Sequence, residues 1–472
     1  ASTDVSNHIQ KPYEINMSNR NEGEYFGAII NLMHFFKIWI PDSSKRNISF
    51  SVFILVPAYL FFFALSCIEI YHNWGDMLST TDAVNTFVIY LATSHKYFRL
   101  IYHEKDLKKL MNMVENNFSV PIRQNDAMRN SIIKSYVQEV KKLTILWTTL
   151  CFTTLCGFMI LPLADGLFHY YRTNSTKEIE WKLPYRTWTP FNDYGTVVTV
   201  PLYIYHMFMG FVLIAEIPAF DTIYFSLVNH SCAQLKILQN SLRNIVTISA
   251  QNVHSNEKND VTFDTMLEER YIIEENIGHS SLSPAHKMNS VLNSFTPSGN
   301  CDRPLNHIHA SELDNKIRQN VGELVNHHEK ILEYIDGVEA IVNAVFLTQF
   351  LCSATLFCLT GFQLTVILKE QQLARFLNMM ELLGAAIFEM GMFCYFANRV
   401  MDEGINVGKA AYESQWYYVS KDYGISVSII MARCTRPPKI TFGKFADLTM
   451  ENFASVLQIS YSYFTLLTRL NE

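Results

Sequence analysis

The run FILVPAYLFFFAL, Phe53 to Leu65, decides the class of this protein. It lies within Ser49–Tyr71, a mostly apolar stretch long enough to cross a bilayer's hydrocarbon core, which takes about 20 residues of helix. Comparable blocks recur at Leu143–Leu163, Val197–Val228, Ile341–Leu368 and Phe376–Ala397. Two further segments are more polar. Thr80–Tyr102 carries Asp82, His95 and Lys96, and Asn452–Leu470 reads NFASVLQISYSYFTLLTRL. His72–Ser79 is too short for anything but a hairpin return, so Thr80–Tyr102 counts as a span. The expected fold is all-α, a seven-transmembrane helical membrane protein. Composition agrees: charged residues are 17%, against about 25% in a typical soluble chain. A net charge of -6 points to no nucleic-acid partner.

Lysine and arginine placement predicts the topology, because cytoplasmic loops retain positive charge. Lys11, Arg20, Lys37, Lys45 and Arg46 precede the first span, and the loop at 103–142 holds eight more basic residues. The first hairpin holds none, and the loop at 164–196 offsets its four with four acids. A third basic segment, from Arg399 to Lys444, separates the sixth and seventh spans. All three lie on one side if the N-terminus is cytoplasmic, which puts the C-terminus outside. Ala1–Asn21 is polar and lacks a signal-peptide pattern. None of the nine cysteines falls in an expected outside loop. Asn174-Ser175-Thr176 is a glycosylation sequon in the longest outside loop.

The expected organisation runs from a cytoplasmic segment at 1–48 through spans one to four at 49–228. A long cytoplasmic loop at 229–340 follows, then spans five and six at 341–397. A cytoplasmic anchor helix occupies 398–446, and the last span 447–472. The middle of the long loop, 249–311, is rich in Asn, Ser, His and Pro and is expected to be disordered. After it, Ile317, Val321, Leu324, Val325, His328, Ile331, Ile335 and Val338 recur at helical spacing. With no proline in between, that helix should continue into span five. A second amphipathic helix is expected over Asp402–Ala432, ending near Pro437-Pro438.

Several motifs are specific. FANRVMDEG at 396–404, AAYESQWY at 410–417 and IIMARCTRPPKITFGKFADLTMENFASVLQISYSYFTLL at 429–467 resemble the insect odorant receptor family. LPYRTWTPFND at 183–193 and HEKIL at 328–332 do the same. The SYSYFTLL ending follows the ligand-tuned receptors, whereas FASVL and the long loop before span five are more like the shared co-receptor. The resemblance implies a subunit of a tetrameric, odorant-gated, non-selective cation channel in the plasma membrane of olfactory sensory neurons. It also implies a co-receptor partner and no cofactor.

The last span bears on the pore. Ser455, Gln458, Ser462, Leu466 and Arg469 share one helical stripe, small or polar except for Leu466. The resemblance implies that this span lines the pore, with Leu466 at the gate position, where a ring of leucines closes a pore by dewetting. Four copies of Arg469 at the pore mouth would repel cations, which favours a heteromer with the co-receptor.

An odorant site should be an apolar cavity with few polar groups. Candidate ligand-binding residues are Phe87, Val88, Tyr90, Leu91, Phe152, Leu155, Phe158, Met159, Tyr203, Met207, Met380 and Leu383. Glu216, Glu381 and Glu389 lie inside spans and need partners, and Glu389 is placed to pair with Lys96 or Arg99. Cys301, His307 and His309 have no standard zinc spacing. Walker, G-x-S-x-G and dinucleotide motifs are absent, so no enzyme is expected. Two other readings stay open: an obligate co-receptor, and a metabotropic seven-helix chemoreceptor, which would need the opposite topology.

Overall fold

The computed structural model describes residues 50–115, 126–173, 183–188, 196–249, 305–369 and 373–470. Helices α1 (Phe50–His72) and α2 (Met77–Tyr102) form the opening hairpin. Asp76 caps α2, accepting from Leu78 N at 3.2 Å and from the Ser79 hydroxyl; such a cap satisfies an amide that the helix start leaves open. His103 passes the chain into α3 (Glu104–Glu115), which lies in the basic segment expected to be a loop. Leu107, Leu110, Met111 and Val114 are buried, one apolar stripe at helical spacing.

Helices α4 (Asp126–Thr173), α5 (Thr196–Arg243), α6 (Leu305–Lys369) and α7 (Leu373–Tyr412) all outrun their expected spans. At 1.5 Å per residue α6 is roughly 100 Å long, about three times the hydrocarbon thickness. Among the described residues five helices, α1 and α4 to α7, are long and apolar enough to cross a membrane by length and composition. Helix α2 and the last helix, α9 (Met450–Leu470), are long enough but more polar. The polar groups of α2 point inward: Asn85, Thr93, Ser94 and Lys96 are all buried.

The ends of the α5, α6 and α7 spans, with the parts that run on past them, meet α3 and α8 (Lys421–Cys434) in a dense hub. Its centre is aromatic. Phe393 lies 5.5 Å from Tyr224, 5.7 Å from Phe225 and 5.0 Å from Phe346 between ring centroids. Buried histidines flank it. Burial pushes His230 down to about 3, helped by Arg129 and His327 nearby. It likewise brings His327 and His328 down to about 4.

The helix expected over Asp402–Ala432 is two helices. α7 ends at Tyr412, Gln415 takes a left-handed φ of 57°, and a 3-10 turn at Trp416–Tyr418 leads to α8. A left-handed residue just past a helix is a standard stop. Ser414 secures it: its hydroxyl donates to Ala411 O at 2.7 Å and accepts from Tyr423 OH at 2.7 Å. α8 then stops at Cys434, ahead of Pro437 and Pro438. The prolines fold back on α7, where a Cβ on Gly404 would sit 2.5 Å from Pro438 Cδ.

Two short strands, β1 (Thr441–Phe442) and β2 (Ala446–Asp447), follow as an antiparallel hairpin. Gly443 and Lys444 both have positive φ, about the primed turn such hairpins favour. Gly443 N donates to Asn343 O at 2.9 Å, and a Cβ there would lie 2.7 Å from Leu347 Cδ2. The hairpin thereby seats the chain on α6 before α9 begins.

Helix α6 starts at Leu305, inside the stretch expected to be disordered. The rest of that expectation, residues 250–304 with Cys301, lies outside the described residues, as do segment 1–48 and the sequon at Asn174.

Candidate functional site

A cavity of about 1180 Å³ lies among the membrane helices, walled by α2, α4, α5, α6 and α7 and roofed by residues 183–187. Its middle is apolar, with Val88, Ile89, Leu155, Phe158, Ile214 and Met379 on the wall. Its two ends are polar. At the hairpin end the Asp82 carboxylate accepts from Arg375 and from Gln363 Nε2 at 2.8 Å, with Arg186 Nε at 3.6 Å. Gln363 in turn receives Asn85 Nδ2 at 3.2 Å. Arg186 also donates to the Ser79 hydroxyl, which pins the strap over α2.

At the other end sits a buried ionic knot. Lys96, 1% exposed, donates to Asp221 Oδ1 at 2.8 Å and to Glu389 Oε1. Trp147 Nε1 donates to Asp221 Oδ2 at 2.9 Å, and Gln349 Nε2 to Glu389 Oε2 at 3.0 Å. The Lys96 ammonium also lies 5.1 Å from the Phe393 ring centroid. Every carboxylate oxygen in the knot has a donor, the condition under which buried charges are tolerated. Of the two partners that its position in the span suggested, Glu389 pairs with Lys96, while Arg99 donates to the carbonyls of Ala340 and Ile341. Glu216 is held separately, accepting from Tyr59 OH at 2.5 Å.

The ligand-binding candidates separate into three groups. Val88, Tyr90, Leu155 and Phe158 line the cavity. Leu91, Phe152, Met207 and Met380 are exposed on the outside of the bundle. The remaining four serve packing. Phe87 meets the Phe63 ring at 5.2 Å, and Met159 is buried in the cluster around Leu55, Tyr59 and Phe62. Tyr203 donates to Met159 O, and Leu383 packs against the cluster of Leu364, Ile367 and Met379. The physical reason is helix rotation. On α2 the cavity is met by Asp82, Asn85, Ile89, Thr93 and Lys96, so the polar face looks inward and Leu91 looks out. Sequence reasoning therefore missed Asn85, Thr93 and Lys96, along with Trp147, Cys151 and Thr154 on α4. The spacing of Trp147, Cys151, Thr154 and Phe158 by three or four is a readable helical face.

The stripe on α9 faces away from its own chain. Ser455, Gln458, Ser462, Leu466 and Arg469 are all exposed, Leu466 at 53%. They span an arc of roughly 80°, at about 100° per residue. The opposite face holds the helix down: Phe453 packs on Gly391, Val456 is buried, and Phe464 packs on Gly361. Ser460 donates to Ala354 O at 3.3 Å.

This is a helical membrane protein of the seven-span kind, with a cavity among its membrane helices and a last helix that leaves one face uncovered. The sequence profile of the family described as 7tm Odorant receptor matches residues 76–461. The chain belongs to that family. The odorant receptor coreceptor of Aedes aegypti is 22% identical over 95% of this chain and 98% of its own length. Odorant receptor 10 of Aedes albopictus is 31% identical, over 31% of this chain and 38% of its own. Among solved structures, the olfactory receptor OR5 of Machilis hrabei in complex with eugenol is similar with a TM-score of 0.69. That match is 15% identical and covers 95% of this chain and all of the other.

Proposed function

We propose that this chain is an odorant-gated, non-selective cation-channel subunit. A small volatile occupies the cavity, and α9 from each of four subunits lines a shared pore. The observation that carries the reading is the division of α9. One face, with Phe453, Val456 and Phe464, is used up on α6 and α7, while the stripe from Ser455 to Arg469 is left uncovered, with Ile459, Tyr461 and Tyr463 exposed beside it. Uncovered polar side chains in a membrane helix call for protein or water, not hydrocarbon. In this reading the N-terminus is cytoplasmic, Leu466 forms the gate, and Arg469 favours assembly with co-receptor subunits. The setting is the plasma membrane of olfactory neurons, with Asn174 glycosylated outside. The related OR5, solved with eugenol, supports a small aromatic volatile as a first ligand to try.

The test is a volatile panel, eugenol and 1-octanol included, applied to cells expressing this chain with and without a co-receptor. Volatile-evoked cation current only in the co-expressing cells is expected. Robust current from the chain alone would overturn the heteromer. A C-terminal tag that stains only after permeabilisation would overturn the topology. Leu466→Ala should raise resting current several-fold without any volatile.

An obligate co-receptor is the second reading. It is favoured by the span of the coreceptor match, nearly the whole chain, against about a third for the tuned receptor. Rescue of other tuned receptors' currents by this chain would decide for it.

A further inference from the structure

The knot at the end of the cavity is close in the chain to two of the points that hold α9, Ala354 and Gly391. Gln349 Nε2 donates to Glu389 Oε2 at 3.0 Å and to Ser353 Oγ at 3.2 Å. Ser353 is followed by Ala354, whose carbonyl receives Ser460 of α9. Glu389 lies two residues before Gly391, the bed of Phe453 of α9. Gln349, Ser353, Glu389 and Lys96 all contribute to the cavity wall. One side chain, Gln349, therefore joins α6 to α7 where the cavity ends and the last helix is held.

We infer that Gln349 is a positioning residue that transmits cavity occupancy to α9. It couples α6 and α7 through Glu389, which the Lys96–Asp221–Trp147 arm fixes to α2, α5 and α4. A ligand pressing on this end of the cavity moves a hydrogen-bonded unit, because packed interiors shift between discrete arrangements rather than yielding smoothly. The unit carries with it the Ala354 and Gly391 seats. The inference rests on the channel reading but goes beyond it, since a ligand site and a pore could be linked elsewhere.

The test separates binding from opening. Gln349→Leu keeps the volume and leaves the Lys96 ion pairs intact, while removing both amide bonds. Co-expressed with a co-receptor, it should lose much more maximal current than affinity for eugenol, or for 1-octanol where eugenol gives no wild-type current. Quenching of tryptophan fluorescence reports occupancy, because Trp147 is on the wall. Maximal current at equal surface abundance should fall at least five-fold. Gln349→Glu combined with Glu389→Gln exchanges amide and carboxylate across the same contact and should recover at least half of the lost current. If Gln349→Leu does not reach the surface, Ser353→Ala, which removes one bond, should still lower maximal current about two-fold. Wild-type current in the variants would overturn the inference. So would a fall in current matched by an equal fall in binding, which would make Gln349 only a ligand contact. A wild-type channel that binds the volatile but never opens would sink the channel reading and this inference together. Opening that survives loss of the Gln349 bonds would sink the inference alone.

Discussion

The hub and the cavity end of this molecule are built from the same helices and differ in how those helices meet. In the hub, α5, α6 and α7 interlock through large rings, with Tyr224, Phe225, Phe346 and Phe393 each under 2% exposed. Around the cavity the same three helices stand apart, and short or polar side chains such as Ser353 of α6 and Ala386 of α7, with Thr93 of α2 and Thr154 of α4, face the gap. Close packing makes the hub intolerant of lost volume. The open packing above it leaves space a ligand can occupy, at the cost of stability a filled core would have provided. The difference teaches that the same three helices can be rigid where their rings interlock and leave room for a small molecule where they diverge.

The largest test of that contrast is Phe393→Ala. Removing a fully buried ring should cost about 3–5 kcal/mol, seen as a lower thermal midpoint in detergent and a sharp fall in protein at the cell surface. If surface abundance were unchanged, the hub would not be the rigid half.

Next in size is a filled cavity. Thr154→Phe places a ring in open space, so surface abundance should stay within two-fold of wild type. The concentration of volatile for half-maximal current should rise about ten-fold or more. A folding defect as severe as that of Phe393→Ala would erase the distinction between the two halves.

A smaller effect is expected from acid. His230, His327 and His328 are held neutral in the hub, at about 3, 4 and 4, against about 6.5 when unfolded. Between pH 6.5 and about 4 the unfolded chain therefore binds more protons than the folded one, and stability falls as pH falls. The loss is at most about 1.4 kcal/mol per pH unit for each histidine. Thermal midpoints at pH 7.5 and 5.0 check this, and His230→Gln should flatten the slope. An unchanged midpoint would mean that the hub admits solvent.

The smallest effects belong to the outer surface. Phe152→Ala and Met380→Ala remove exposed side chains and should shift stability by under about 0.5 kcal/mol. The half-maximal volatile concentration should move less than two-fold. A large loss of response would return these residues to the ligand site.

Much of the helical plan was legible in the chain. Blocks such as Phe53–Leu65 mark membrane helices because uninterrupted apolar length has few other uses. The stripe from Ile317 to Val338 is buried at Ile317, Val321, Leu324, Ile331, Ile335 and Val338, and belongs to the same helix as span five. The α9 stripe was readable as well, since one helix fixes which residues share a face. Helix α3 was overlooked although Leu107, Leu110, Met111 and Val114 announce it, because its charged residues dominate the local composition. The break at Ser414 and Gln415 has no such herald: no proline or glycine stands there.

The chain by itself determined where the membrane-length helices lie, the family, and which residues share a face of α9. These follow from local period and apolar length, which each segment carries within itself. Only the tertiary structure decided which way each helix turns. It set the polar face of α2 toward the cavity, sent Leu91 and Phe152 outside, and brought Lys96, Asp221, Gln349 and Glu389 together from four helices. Rotation of a helix is fixed by partners far away in sequence, and a buried lysine needs two carboxylates more strongly than an apolar face needs the interior of a bundle already surrounded by lipid.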